Sequence, residues 1–146
     1  MSTLSQRNST SNQLTSDFST QKIFLLNNRY EQDTLLENPT YSTQTILAGT
    51  VLGRVASSGN VVPCISGALD GSQFPIGVLA QDVTALASGQ TQSIAMCIDG
   101  DVNAAALIFY GGDSLATVIA GRSMQDHLKA YGILIRYATE MTDYDN

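Results

Sequence analysis

The chain has 146 residues, enough for one compact domain with a buried core and too few for two. Apolar residues make up 43% and charged residues 14%, with a formal net charge of −6 and an isoelectric point near 4.4. The seven basic residues stand singly along an acidic chain. Without a Lys/Arg cluster to displace counterions from phosphate, direct nucleic-acid binding is not an expected role.

Residues 1–20 are mostly Ser, Thr, Asn and Gln, with Leu4, Leu14 and Phe18 as isolated apolar points. Such a stretch buries too little surface to offset its ordering entropy, and it reads as an arm that is disordered in the free protein. It lacks the apolar core of a signal peptide, and no run in the chain approaches the roughly 18 apolar residues of a membrane span. The expectation is therefore a protein made and kept in a cytoplasm, with no membrane partner.

Next comes "KIFLLNNRY", a short apolar run from Ile23 to Leu26 closed by Asn27 and Asn28. It is a candidate strand with two open destinies: an edge strand of its own domain, or a strand added to an exposed sheet edge of a partner. "EQDTLLENPTYST" reads as an irregular connector broken at Pro39. The compact domain is expected to begin near Ile46, giving an arm over 1–45 and a domain over 46–146.

Within that domain, Thr50 to Ala56 reads as a strand, "SSGN" as a turn and Val61 to Ile65 as the return strand. Asp70-Gly71 supplies a tight turn because Gly accepts positive φ. Ile76 to Val83 reads as one strand, and "ASGQ" turns the chain into Thr91 to Ile98. There Ile94, Met96 and Ile98 share one face while Ala95 and Cys97 share the other, and the small residues suggest that the second face is packed as well. Asn103 caps a short helix over Ala104 to Leu107, and Ser123 with Asp126 opens a second over "MQDHLKAY", ended by Gly132 as a left-handed cap. Ile133 to Tyr137 forms a closing strand before the acidic tail "MTDYDN". The fold class is α+β, mainly β: a small compact domain with two short helices and a flexible N-terminal arm.

The chemistry-bearing residues form two suggestive patterns, and both fall short. Gly112-Asp113-Ser114-Leu115 matches the nucleophile block of GDSL-type hydrolases. A serine nucleophile needs a base and an orienting acid, yet His127 is the one histidine and no Asp precedes it by three residues. Asp99, Asp101 and Asn103 open like an EF-hand loop, but Ala104 and Tyr110 stand where the Gly and the bidentate Glu belong. The glycines of the first half are not followed by the Gly-Lys-Ser/Thr of a P-loop. Cys64 and Cys97 sit in apolar runs without zinc-site spacing and read as two buried thiols. No cofactor and no catalytic residue is expected.

The order of segments carries more than any one of them. Gly49-Thr50-Val51-Leu52-Gly53 is followed by Asp70-Gly71-Ser72, by Pro75 through Ala80, and by Asp82-Val83; Gly100-Asp101-Val102-Asn103 precedes Ala106-Leu107, and Leu128 precedes Gly132-Ile133. This series, over roughly Ile46 to Thr139, resembles the head-decoration (cement) proteins of tailed bacteriophages, of the lambda type. The chain departs from the family at "LKAYGI", where an Arg-rich "LRARGI"-like block is usual.

The resemblance implies a non-enzymatic structural protein: a homotrimer at local threefold positions on the outer capsid surface that binds the major capsid protein and stabilises the expanded head against DNA pressure. It implies an N-terminal arm that orders on the capsid, with Phe18, Ile23, Phe24, Leu25, Leu26 and Tyr30 as capsid-binding candidates. The expected location is the virion, after assembly in the host cytoplasm. The alternatives are a small GDSL-like serine hydrolase using Ser114 and His127, and a host-adhesion module displayed on the virion.

Overall fold

A computed structural model describes residues 22–137. The arm expected over 1–20, including Phe18, and the acidic tail beyond Tyr137 lie outside the described residues.

In chain order the elements are β1 (Phe24–Glu37), β2 (Gln44–Ile46), β3 (Val51–Arg54), β4 (Val61–Pro63), β5 (Pro75–Leu79), β6 (Val83–Leu86) and β7 (Thr91–Asn103). A 3-10 turn (Ala104–Ala106), β8 (Val118–Ile119), β9 (Arg122–Ser123), α1 (Met124–Tyr131) and β10 (Ile133–Arg136) follow among the described residues. The mainly β fold with one helix and one short 3-10 turn agrees with the class read from the sequence.

Six strands form one sheet in the order β10-β7-β1-β4-β3-β5, and β5 returns to pair with β7 through Val78↔Cys97 and Leu79↔Met96. The sheet therefore curls into a small barrel-like body. β1 runs antiparallel to β7 over nine registered pairs from Phe24↔Val102 to Glu37↔Thr91, and meets β4 at Leu36↔Val61. β10 lies parallel to the far end of β7, from Ile133↔Gly100 to Arg136↔Asn103.

Side-chain alternation along these strands fills two cores. Leu36, Leu52, Val61, Leu79, Ile94 and Met96 come from all five ring strands and point into the barrel. The β2–β6 ribbon adds Ile46, Val83 and Leu86 to this inner core. The alternate positions Val51, Val78 and Cys97 face outward, beneath Met124 and Leu128 of α1 and Ile133 of β10. The expected split of β7 between a large-residue face and a small-residue face matches this arrangement. Gly77 shows why one position must stay bare: a Cβ there would lie 2.5 Å from Met96 Cγ and 2.8 Å from the Cys97 carbonyl oxygen.

Four sequence expectations need correction. The segment 31–37 is strand and not an irregular connector, and Phe24–Glu37 belongs to the same sheet as the elements beyond Ile46. The disguise is backbone kinking: Asn27 and Asp33 take left-handed φ values of 55° and 59°, and register shifts accompany them. Bulges use the residue types that otherwise mark turns. Ile76 to Val83 is two strands, because Ala80–Asp82 redirects the chain and β6 pairs with β2. Asp82 secures that corner by accepting a bond from the Ala48 amide at 2.8 Å. β7 continues through Gly100, expected as a turn, to Asn103. Finally, the helix expected over Ala104 to Leu107 is a single 3-10 turn, whose first bonds Asn103 caps through the Ala105 amide. The α1 caps stand as expected, with Ser123 accepting from the Asp126 amide and Gly132 at φ 108°.

Candidate functional site

Where β1 begins, the N-terminal side of the domain is tied by side chains from the far end of β7. Lys22 and Ile23 lead directly into β1. The Asn103 side chain donates from Nδ2 to the Lys22 carbonyl at 2.9 Å, and its backbone amide donates to the Ile23 carbonyl at 2.8 Å. Asn103 is 1% exposed, so the donor side of both bonds is shielded from water. Five residues on, Asn28 donates from Nδ2 to the Asp101 carbonyl at 3.0 Å and approaches Cys97 Sγ at 3.6 Å.

Between these two asparagines the backbones interlock. Asn27 at φ 55° lies against Gly100 at φ 105°, and a Cβ on Gly100 would come 2.7 Å from the Asn27 carbonyl oxygen. On the far side of β7, Arg136 Nε meets Asp101 Oδ2 at 2.9 Å. That carboxylate is mostly buried, so the pair fastens β10 to the same end of the sheet. Lys22 and Arg136 thus both lie beside Asn103.

The expected capsid-contact residues divide by face. Ile23 and Phe24 are partly buried against the outer core, and Phe24 meets Tyr30 edge-on with ring centroids 5.7 Å apart. Leu25 is half-buried, whereas Leu26 and Tyr30 keep 56% and 40% of their surface exposed. The run Ile23–Leu26 is engaged in the domain's own sheet through Phe24↔Val102 and Leu26↔Asp101. The asparagines that hold it, Asn28 and Asn103, were not singled out for this work in the sequence. A lone amide side chain belongs to no motif; the one available signal was the pair Asn27-Asn28 inside an otherwise apolar run.

The catalytic look-alikes are used structurally. Asp113 accepts from the Ser66 amide at 2.7 Å and its hydroxyl at 2.8 Å, tying two loops together. Ser114 Oγ accepts from the Ala116 amide, and its own amide donates to Thr117 Oγ1. His127 Nε2 lies 2.8 Å from the Ile119 carbonyl, which makes that nitrogen the donor, and the ring packs edge-on against Phe74. Asp99, Asp101 and Asn103 are spent on Arg29, on Arg136 and on the cap of the 3-10 turn respectively. Among the described residues no three His, Cys, Asp or Glu side chains gather as a metal site. Cys64 and Cys97 are both free and buried; burial, with the Asp113 carboxylate adding to it, pushes the Cys64 thiol up to about 12.

A cleft of about 520 Å³ opens among Glu31, Arg54, Phe74, Ile76, Ile98 and Tyr131. Arg54 and Glu31 form an ion pair of 3.0 Å there. The Thr34 hydroxyl, and then Arg54, hold the Glu31 carboxyl below its ordinary range.

A family model described as bacteriophage lambda head decoration protein D matches residues 27–124, more than half of the chain. No curated protein matches it.

Proposed function

The chain belongs to the bacteriophage lambda head decoration protein family and is a structural protein of the phage capsid; from that premise we propose that it binds the outer shell as a homotrimer at local threefold positions and braces the expanded head against DNA pressure. The observation that carries this reading beyond membership is the tied root at Lys22 and Ile23. A segment that is to grip a partner needs a fixed point on its own domain, and Asn103, itself buried, supplies one with two hydrogen bonds. Residues 1–20 grip the major capsid protein, with the exposed faces of Leu26 and Tyr30 beside them. Three linked arms raise the effective concentration of each arm once the first is bound, which offsets the entropy lost when an arm orders.

No step of this role needs catalysis. It also needs no contact with nucleic acid, which suits a net charge of −6. The protein is made in the host cytoplasm and passes to the finished particle. Sedimentation of purified protein with expanded heads tests the proposal: the full chain should co-sediment and travel as a trimer when free. A chain lacking residues 1–20 should stay folded and bind weakly. A stable monomer that ignores expanded heads, or a deletion that leaves affinity unchanged, would overturn it. A fluorophosphonate probe is expected to leave Ser114 unlabelled.

A further inference from the structure

We infer that the root of the N-terminal arm is a force-bearing joint, in which β1 and β7 are locked so that tension on the arm is carried in shear along the sheet. The inference rests on the proposed attachment through residues 1–20, since an arm fixed to the shell is what would load β1 from its N-terminal end.

Direction comes first. β1 starts at the end of β7 where Asn103 lies, and runs antiparallel down its length to Glu37↔Thr91. Traction on the arm draws β1 along its own axis, so the bonds of the ladder are strained together. Pulling β1 sideways from the same end would open them one after another.

The register is locked as well as bonded. A regular strand can slip by two residues and recover both its hydrogen bonds and its facing pattern. β1 cannot do so smoothly, because its kink at Asn27 is seated against Gly100 and a second left-handed residue stands at Asp33. Sliding must first unseat the kink, where the backbones are too close to admit a Cβ. At the loaded end two side chains cross between strands as pins: Asn103 to the Lys22 carbonyl and Asn28 to the Asp101 carbonyl.

Single-molecule pulling on the purified full chain tests this without a capsid. One handle is placed at the N-terminus. The second is placed at Gln90→Cys, at the opposite end of β7, or at Ala105→Cys, beside the root. Both positions are exposed, and the native thiols are buried. The Gln90 geometry shears β1 against β7, whereas the Ala105 geometry peels it.

The shear geometry should need a several-fold higher rupture force, a readout governed by the unfolding barrier. Asn28→Ala should lower the force in both geometries, because the pin lies at the end that both of them load, and should leave the shear force the higher of the two. Equal forces in the two geometries overturn the inference, as does an Asn28→Ala chain whose shear force is unchanged. The comparison between handles carries the test even if Asn28→Ala does not fold. A chain that shows the anisotropy but fails to bind expanded heads supports the joint and breaks the capsid reading alone.

Discussion

The inner and outer cores share strands but are filled on opposite terms. Val51 and Leu52, Val78 and Leu79, and Cys97 and Met96 are neighbours that point to opposite faces. Inside the barrel the strands contribute mainly Leu, Ile and Met and meet each other. Outside they contribute Val and Cys, and the bulk arrives from Met124 and Leu128 on α1. The inner core is made wherever the strands close. The outer core exists only while one eight-residue helix and one four-residue strand stay docked. Small residues on a sheet face are therefore a record of what lies over them.

The sharpest test of that contrast pairs two truncations. Leu52→Ala and Leu128→Ala each empty a fully buried site and should cost about 2–5 kcal/mol by urea denaturation. Leu128→Ala should also strip hydrogen-exchange protection from α1 and β10 while barrel amides stay protected. Leu52→Ala should lower protection everywhere. Uniform loss in both variants would merge the cores into one cooperative unit.

Alkali should reach the outer core first, because the inner cluster contains no titratable side chain whereas the outer holds Cys64 and Cys97. For Cys64 the folded thiol sits at about 12 against an ordinary 9.0. The unfolded chain therefore loses its proton first, and the stabilising difference present below pH 9.0 is lost as pH rises toward 12. Thermal melts from pH 8 upward should show a falling stability that is flatter in Cys64→Ala.

A smaller effect is expected at Ala120, which takes φ 53° in the two-residue turn joining β8 to β9. Asn tolerates that region better, so Ala120→Asn should stabilise the chain by about 1 kcal/mol. An unchanged or lowered melting temperature would refute this. The smallest effect should come from Arg54→Ala. Its ion pair with Glu31 is partly solvent-exposed, and the loss should stay below about 1 kcal/mol and shrink in salt.

How much of this could be read from the chain depended on whether the signal was local. Ser123 and Gly132 announce α1 because capping is decided by residues a few positions apart. The alternation of Ile94, Met96 and Cys97 likewise needs no distant partner to be visible. β1 was obscured because its bulge residues, Asn27 and Asp33, carry the signature of turns. What makes them strand is β7, some seventy positions away in the chain. The same distance hid the tie at Lys22. Ile23, Leu26 and Tyr30 drew notice as apolar residues near a polar leader, while Asn28 and Asn103 acquire their role only when residues 22 and 103 meet. At Ser114 and His127 the sequence already withheld the partners that the four-residue motif needs, and in the structure Ser114 Oγ accepts from the Ala116 amide while His127 Nε2 donates to the Ile119 carbonyl.

The kinks in β1 carry one more consequence. Among the described residues, β1 has a sheet partner on its β4 side only at Leu36, so most of that margin is open. A flat strand of fourteen residues with an open margin would be a template on which other copies could zipper. Left-handed breaks at Asn27 and Asp33 spoil its straightness, and the other open margin, β10, is four residues long. The kinks thereby keep the open margin of β1 from pairing with the same strand of a second copy.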